Sequence, residues 1–266
     1  MILRPYQERA VADVLANIAK RPVLVLPTGA GKTVVAAHIV KHYVDFGERV
    51  LFIAHRRELI AQAAARLRAF GIDSGLILAG ERKRPHVLVQ VASVQTLGRR
   101  EHPPADLVIV DEAHHAAGDT YRKILAHYAD AHRIGLTATP FRLDGKPLGD
   151  LFGVIVVGAY ADDLCADGTL IAPRIFAPKG PNLAGVRKVA GDYNLADLAE
   201  CMVTLSGNIV AHWQKHAAGK RTVVYAVNVE HSKHITDRFI EAGGAAEHID
   251  GGTPNETRAA VLRRLA

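Results

Sequence analysis

The chain has 266 residues, of which 49% are hydrophobic and 23% are charged. This length exceeds what one hydrophobic core usually serves and predicts two domains, the second of them small. No apolar run approaches the roughly 20 residues of a membrane span, and Arg4, Glu8 and Arg9 interrupt the N-terminus, so we expect a cytoplasmic protein without a membrane partner.

The balance of charge is mildly basic. Lysine and arginine number 33 against 27 aspartate and glutamate residues, which gives a formal net charge of +6. This excess is consistent with a polyanionic partner, although ATP itself also needs cations. The two cysteines, Cys165 and Cys201, lack CxxC spacing and predict neither a zinc site nor a disulfide framework.

The first predicted elements are a buried strand at residues 23–26 and a helix that begins near Thr33, with glycines at the turn between them. Residues 27–33 have the sequence PTGAGKT, which matches the end of the phosphate-loop pattern GxxxxGK[ST], but Leu26 stands where that pattern has its first glycine. An ordinary connection between a strand and a helix is the alternative interpretation of such a turn taken alone.

In a phosphate loop, backbone N–H groups and the helix N-terminus hold the phosphates of a nucleotide. Lys32 would reach the outer phosphates, and the Thr33 hydroxyl would bind Mg²⁺. We therefore predict a nucleoside triphosphate site formed by Pro27, Thr28, Gly29, Ala30, Gly31, Lys32 and Thr33.

Farther along, the pattern predicts a strand at 49–55, a helix at 58–70, a strand at 87–92 and a buried strand at 107–110. Asp111 and Glu112 follow this last strand, at the edge of a parallel sheet where α/β proteins bind ligands. Asp111 would hold Mg²⁺ through water, and Glu112 would orient and deprotonate the attacking water. Together with Lys32 these are the predicted catalytic residues. Two adjacent acids could otherwise cap a helix.

A helix at 121–128 and a strand at 134–137 complete the first half, and this alternation predicts an α/β fold with a parallel sheet and helices on both faces. Glycine and proline then become frequent, which predicts a domain junction. Beyond it we predict a helix at 208–217, a strand at 222–227, a helix at 232–241, a strand that ends at Ile249 and a helix at 255–265.

With the loop at 27–33 and the sequence DEAH at 111–114 in place, the order of further segments resembles that of the superfamily 2 helicases over nearly the whole chain. Residues 3–7 (LRPYQ) resemble the Q motif, whose glutamine amide can pair with N6 and N7 of adenine. The resemblance implies that Gln7 binds ATP, with Tyr6 or Arg4 packing on the base or positioning the nucleotide. A capped surface helix is the alternative for Tyr6 and Gln7 alone.

Two strand ends resemble the helicase motifs that contact the nucleic-acid backbone. Residues 50–59 (VLFIAHRREL) resemble motif Ia, and residues 91–97 (VASVQTL) resemble a later strand-end motif. The resemblance implies donors to phosphate oxygens rather than to bases, so binding would depend on salt and little on sequence. The implied donors are His55, Arg56, Ser93, Gln95 and Thr96.

Residues 135–140 (GLTATP) resemble motif III, whose hydroxyls hydrogen-bond the DEAH segment and couple nucleotide state to the nucleic-acid groove. The resemblance assigns this coupling to Thr137 and Thr139, with His114 as their partner. The two threonines could otherwise be plain strand-end residues.

The pair Phe141-Arg142, the start at residues 3–7 and residues 167–171 (DGTLI) are similar to the RadD group of bacterial repair ATPases, and more distantly to restriction-enzyme motor subunits and the XPB group. This resemblance implies single-stranded or branched DNA as the partner. Arg142 would contribute to binding it, as would His231, which lies in a segment (residues 225–232, YAVNVEHS) that resembles the motif opening a second motor domain.

The resemblance implies a first RecA-like ATP-binding domain at 1–175, a junction at 176–207 and an incomplete second RecA-like domain at 208–266. Such motors carry an arginine motif (QxxGRxxR) late in the second domain, and no such string occurs in this sequence. The missing motif predicts that the chain is C-terminally truncated. An arginine finger raises turnover by about 10³ to 10⁵, so we expect the chain to bind ATP but to hydrolyse it poorly unless a protein partner supplies the missing arginine.

These observations predict the motor portion of an ATP-dependent DNA helicase or translocase of the DEAH type, with ATP and Mg²⁺ as cofactors and DNA repair as its process. One alternative is a non-catalytic ATP-dependent module that binds nucleic acid. The other keeps the enzyme and replaces DNA by RNA.

Overall fold

The computed structural model describes residues 2–116, 118–140, 148–176, 186–189, 192–194, 197 and 206–265. The chain divides into two compact units, residues 1–173 and 174–266. None of the described helices is long and apolar enough to cross a bilayer.

The first unit contains a parallel sheet of seven strands: β1 (Pro22–Val25), β2 (Val50–Ala54), β3 (Ser74–Ile77), β4 (Val89–Ser93), β5 (Leu107–Asp111), β6 (His132–Thr137) and β7 (Val154–Val157). Their order across the sheet is β3-β4-β2-β5-β6-β1-β7. Its helices are α1 (Pro5–Ala16), α2 (Lys32–Asp45), α3 (Arg57–Ala69), α4 (Val94–Leu97), α5 (Asp119–His127) and α6 (Ala161–Ala166). Short 3₁₀ turns lie at Ile18–Lys20 and Ala113–His115.

The strands are apolar along their length because both faces of the sheet are covered. In β2, Phe52 packs in one core with residues of α1 and α2, whereas Leu51 and Ile53 pack in a second core with residues of α5. Successive side chains of a strand point to opposite faces, so the two cores lie on opposite sides of the sheet. The predicted α/β fold with helices on both faces is confirmed.

Two strands of the first unit were not predicted. β3 and β7 form the two edges of the sheet. Ile155 and Val157 of β7 are exposed, and β3 is short and only half-buried. Edge strands have one neighbour and bury less surface, so their sequences carry a weaker apolar signal than the central strands.

The second unit is described by helices α7 (Ser206–Ala217), α8 (Val229–Glu241) and α9 (Asn255–Leu265), and by a two-stranded antiparallel ladder of β8 (Lys188–Val189) and β9 (Asp192–Tyr193). Its apolar core contains the buried residues Val210, Ile235 and Phe239, with Trp213 packed edge-on to Phe239. This core is small, as expected of a unit with few described elements.

The strands predicted at 222–227 and before Ile249 are wrong for this structure. Neither segment has a regular strand within residues 206–265, and Val223 and Tyr225 are 60% and 93% exposed. The apolar pattern is suited to a buried strand, but a strand forms only when another backbone pairs with it. The second RecA-like domain therefore stays a prediction from the sequence.

Candidate nucleotide site and adjoining surface

The candidate site lies at the carboxyl edge of three neighbouring strands, β5, β6 and β1. β1 leads into the glycine loop, β5 ends at Asp111, and β6 ends between them at Thr137. A parallel sheet places all of these strand ends on one edge. Lys32 and Asp111, which are 79 positions apart in the chain, are thereby brought together.

The glycine loop depends on the backbone freedom of two glycines. Gly29 and Gly31 have φ angles of 86° and 84°, in the left-handed region. Gly31 immediately precedes α2, so the loop ends at the N-terminus of that helix. A Cβ at Gly31 would lie 2.6 Å from Nε2 of Gln7, so a larger residue would displace that amide in addition to straining the backbone.

Lys32 begins α2 and turns back over the loop. Its Nζ donates to the carbonyl oxygen of Leu26 at 3.2 Å. Burial lowers the pKa of Lys32, while the carboxylates of Glu112 and Asp111 oppose that shift. The ammonium group therefore lies in the field of both acids and within the loop that would surround a phosphate.

The structure explains why Leu26 replaces the first glycine of the loop pattern. Its side chain is fully buried in the core that includes α1 and α2, and only its backbone serves the loop. The Leu26 carbonyl accepts from Lys32, and its N–H donates to the Thr137 carbonyl at 3.1 Å. The departure from the pattern thus leaves the loop geometry at Gly29 and Gly31 in place.

The acids after β5 differ in their surroundings. Burial, and then repulsion by Glu112, raise the pKa of Asp111 to about 6. The Oδ1 atom of Asp111 accepts a hydrogen bond from the Glu112 N–H at 3.1 Å. Glu112 itself has a φ of 50°, an uncommon left-handed conformation for a residue with a side chain.

These residues fit a divalent cation. Asp111 is a half-buried carboxylate with no ion pair among the described residues, and its charged form is destabilised by burial. A bound cation would compensate that charge, and oxygen ligands such as a carboxylate and the Thr33 hydroxyl are those that Mg²⁺ prefers. Thr33 is half-buried in the first turn of α2, on the loop side.

His114 connects the DEAH segment to the end of β6. Its Nδ1 atom lies 3.0 Å from Oγ1 of Thr137 and 3.4 Å from Oε2 of Glu112. The Thr137 hydroxyl donates to the Thr139 carbonyl at 2.9 Å and accepts from the Thr139 N–H at 3.1 Å. Because that hydroxyl has a single hydrogen, the pattern assigns the proton of this contact to Nδ1 of His114.

The Q-motif residues divide between the core and the surface. Tyr6 is buried, and its hydroxyl donates to the Ala30 carbonyl at 2.8 Å, so Tyr6 supports the loop and does not pack on a base as one predicted alternative had it. Gln7 is also buried: Nε2 donates to the Ala30 carbonyl at 3.0 Å and Oε1 accepts from the Arg4 N–H at 3.0 Å. Arg4 is exposed, and its contact with the nucleotide stays a prediction from the sequence.

One neighbour of the glycine loop was missed by sequence reasoning. A Cβ at Gly29 would lie 3.1 Å from Cδ2 of Leu170, so this leucine covers the loop from the segment after α6. Leu170 packs against the same core as α1 and α2. The segment was recognised only by its resemblance to a motif, because a single leucine after a turn carries no chemical signal of its own.

The predicted nucleic-acid donors of the first unit lie at the ends of β2 and β4, which are neighbours in the sheet. Arg56 and Gln95 are exposed, and His55 and Thr96 are half-buried. Ser93 is buried, and its hydroxyl donates to Oε1 of Gln95 at 2.7 Å, so it supports Gln95 and does not face a phosphate.

Two further predicted donors have different outcomes. His231 is 5% exposed, and its Nδ1 accepts from the Val227 N–H at 3.4 Å, while burial lowers its pKa. It is therefore a buried residue of α8, and its prediction as a nucleic-acid ligand is corrected because the ring is withdrawn from solvent. Arg142 lies outside the described residues.

A glycine loop ending in Gly31-Lys32-Thr33 after β1, with adjacent acids after β5 of the same parallel sheet, defines the P-loop nucleotide triphosphatases. Within that class, the model of a family described as the type III restriction enzyme, res subunit, matches residues 1–142. The chain belongs to this family of superfamily 2 helicases, whose members are ATP-dependent motors.

Three curated relatives illustrate the similarity. A 51.5 kDa protein of a Lactococcus phage is 32% identical over 233 residues, which is 87% of this chain and 49% of that protein. A protein of Schizosaccharomyces pombe named as a mitochondrial ATP-dependent helicase, irc3, is 31% identical over 98% of this chain and 47% of its own length. The DNA 3'-5' translocase XPB2 of Sulfurisphaera tokodaii is 35% identical over 156 residues, 58% of this chain and 34% of that protein.

The chain thus spans about half the length of the first two relatives. Among solved structures, the UvsW helicase of bacteriophage T4 superimposes with a TM-score of 0.53 and 22% identity, over 59% of this chain and 60% of that one. This likeness confirms the RecA-like fold of the parallel sheet.

Proposed function

We propose that the chain is the ATP-hydrolysing motor portion of a DNA helicase or translocase. The observation that carries this proposal is the convergence of Lys32, Asp111 and Glu112 at one sheet edge, with Glu112 joined to the end of β6 through His114 and Thr137. A site that only bound a nucleotide would need the phosphate loop alone. Two acids and a connection to the adjoining strand are what hydrolysis linked to movement requires.

The residues have distinct roles in this proposal. The loop amides and Lys32 bind the phosphates, with Tyr6 and Gln7 fixing the loop through Ala30. Thr33 and Asp111 would hold Mg²⁺, which neutralises charge that develops on the transferred phosphoryl group. Glu112 accepts a proton from the attacking water, and the His114 Nδ1–H orients its carboxylate.

The proposed track is DNA, and the support comes from relatives and surface chemistry. XPB2 is named a DNA 3'-5' translocase, and it is 35% identical over the matched part. Arg56 and Gln95 present exposed donors at the sheet edge, which suit the phosphate oxygens of a single strand. A role in DNA repair, in the manner of the RadD group, and a cytoplasmic location stay predictions that rest on the sequence.

The decisive experiment is steady-state ATP hydrolysis by the purified chain, with and without single-stranded DNA. We expect DNA to raise the rate severalfold, Glu112→Gln to abolish turnover while ATP still binds, and Lys32→Ala to abolish ATP binding. Lys41→Ala is the matched control, because Lys41 lies on the same helix but forms an exposed ion pair with Asp45 at 2.7 Å.

The same assay separates the two alternatives. ATP binding without basal or DNA-stimulated turnover would overturn the motor proposal in favour of a non-catalytic binding module. Stimulation by RNA but not by a DNA strand of matched sequence would replace the DNA track by an RNA track, since RNA-specific proteins use 2′-hydroxyl contacts that DNA lacks.

A further inference from the structure

Three histidine rings lie in a row beside the candidate site. The rings of His114 and His115 have centroids 4.2 Å apart, inclined by 50°. The rings of His115 and His55 have centroids 4.6 Å apart, inclined by 61°. The middle ring, His115, is exposed and has no role in the site described above.

The two ends of this row are chemically different. At one end, Nδ1 of His114 lies 3.4 Å from the Glu112 carboxylate, the proposed base. At the other end, Nε of Arg56 donates to Nε2 of His55 at 3.2 Å, and the Arg56 side chain is exposed at the proposed nucleic-acid surface. Contacts therefore run from the exposed Arg56 guanidinium through the three rings to the half-buried Glu112 carboxylate.

The sheet order creates this row. His55 follows β2 and His115 follows β5, and these strands pair in register from Val50↔Leu107 to Ile53↔Val110. Their carboxyl ends are adjacent, so residues 60 positions apart in the chain meet. The contact does not pass through the end of β6, and it is separate from the bond between His114 and Thr137.

The Arg56 bond constrains the state of His55. Because Nε2 accepts from a guanidinium, the hydrogen of the neutral ring lies on Nδ1, which is buried with no hydrogen-bond partner among the described residues. Burial, and then the nearby His115 and Arg56, lower the pKa of His55, which favours its neutral form. A phosphate bound by Arg56 would accept the Nε–H of Arg56 in place of His55. The His55 ring would then lose this hydrogen bond and could change its orientation against His115.

We propose that His115 is a positioning residue that transmits the binding of a nucleic-acid phosphate at Arg56 to Glu112. This inference rests on the proposed function, because it assumes that the surface at Arg56 binds nucleic acid and that Glu112 serves hydrolysis. His115 contacts neither the nucleotide nor the nucleic acid in this scheme. When the His55 ring moves, the His115 ring that packs against it moves too and shifts His114. The Nδ1 atom of His114 contacts the Glu112 carboxylate, so the position of that carboxylate changes.

The test compares His115→Ala and His115→Phe with the wild-type chain in ATP hydrolysis and in the affinity for fluorescent single-stranded DNA. We expect the alanine variant to keep its basal hydrolysis and its DNA affinity, and to lose about fivefold or more of its activation by saturating DNA. Phenylalanine retains a ring against both neighbours and should restore most of that activation. His127→Ala is the control, because His127 is an exposed ring that packs on His102, 4.6 Å away, in another part of the first unit.

Other outcomes overturn the inference in recognisable ways. If single-stranded DNA activated ATP hydrolysis by the His115→Ala variant as fully as by the wild type, His115 would have no role in coupling DNA binding to hydrolysis. A parallel loss of DNA affinity in both variants would make His115 a direct ligand of the nucleic acid. If the wild-type chain is not activated by DNA, the proposed function itself fails, and this inference fails with it.

Discussion

At the scale of single residues, Asp111 is most stable as a neutral carboxyl in the free protein but must be ionised to bind a cation. Burial and the Glu112 carboxylate raise its pKa to about 6. A group whose pKa is raised on folding contributes its stability at a pH below its unfolded value and loses that stability as the pH rises through the folded value. The ionised form that a cation requires is therefore costly to the free protein at neutral pH.

We predict that Asp111→Asn stabilises the metal-free chain by about 2 kcal/mol at pH 7.5 and abolishes ATP hydrolysis. Asparagine keeps the oxygen that accepts from the Glu112 N–H but carries no charge. The gain should shrink as the pH falls from 6 to 4, where the wild-type carboxyl also becomes neutral. Urea unfolding of both proteins at pH 7.5 and at pH 4 measures this difference in the free energy of unfolding.

Asp150→Asn is the control for that prediction, because Asp150 is an exposed partner of Arg122 with a side chain that is 64% accessible. Its substitution should change the free energy of unfolding little at either pH. An Asp111→Asn variant that is less stable than the wild type at pH 7.5 would contradict the proposed cost of the buried charge.

Tyr6 acts on the nucleotide through the loop, since its hydroxyl donates to the Ala30 carbonyl. We predict that Tyr6→Phe raises the KM for ATP about fivefold, because one hydrogen bond of about 1 kcal/mol that fixes the loop is lost while Gln7 still donates to the same carbonyl. The measurement is hydrolysis as a function of ATP concentration. Tyr43→Phe, which loses a 2.7 Å bond to His132 at the other end of α2, should leave this KM unchanged.

At the scale of secondary-structure elements, β6 is the structural link between the two halves of the site. It lies between β5 and β1. Gly135 allows the turn after β5 to pack on it, since a Cβ there would lie 2.8 Å from that of Ala113. Two residues later, Thr137 is fully buried and its hydroxyl serves both His114 and Thr139.

We predict that Thr137→Val leaves ATP affinity unchanged and lowers hydrolysis about tenfold, because the hydrogen bond between Thr137 and His114 is lost and the ring positions the Glu112 carboxylate less well. The same change should lower the free energy of unfolding by about 1–3 kcal/mol, since the hydrogen bonds that the Thr137 hydroxyl forms with His114 and Thr139 are lost. Nucleotide titration, turnover and urea unfolding measure the three quantities. Thr120→Val, at an exposed position of α5, serves as the comparison; equal turnover in both variants would refute the role of Thr137.

At the scale of the whole molecule, the excess of positive charge is modest, and its placement matters more than its sum. The net charge of +6 gives a weak preference for any polyanion. The ends of β2 and β4 gather Arg56, Gln95 and Thr96 on one edge, where the proposed function has them bind phosphates of the nucleic acid. Contacts to phosphates fix position but carry no sequence information.

We predict that Arg56→Ala weakens binding to single-stranded DNA equally for all sequences and reduces the slope of log K against log salt by about 0.7, the value for one phosphate contact. Fluorescence anisotropy across a salt series gives that slope. Arg68→Ala, in the last turn of α3, removes an equal charge away from the β2 and β4 ends and should leave the slope unchanged. A loss confined to some sequences would indicate base contacts instead.

Much of the nucleotide site was accessible from the sequence because its signals are local. A buried apolar run followed by PTGAGKT, and another followed by DE, each specify a strand with polar groups at its end. The central strands and the helices α3, α5 and α8 were predicted for the same reason. The burial of Tyr6, Ser93 and His231 could not be predicted, because each residue type occurs equally well at a surface and beneath one.

The sequence by itself determined the class of protein and the chemistry of the loop, since those depend on residues that are neighbours in the chain. Only the tertiary structure decided which strand ends meet: the order β2-β5-β6-β1 puts His55 beside His115 and Thr137 beside His114. The same dependence on partners explains why residues 222–227 have the pattern of a strand without forming one. Extended backbone becomes a sheet only where a second backbone pairs with it, and side chains meet only where the sheet order brings their strands together.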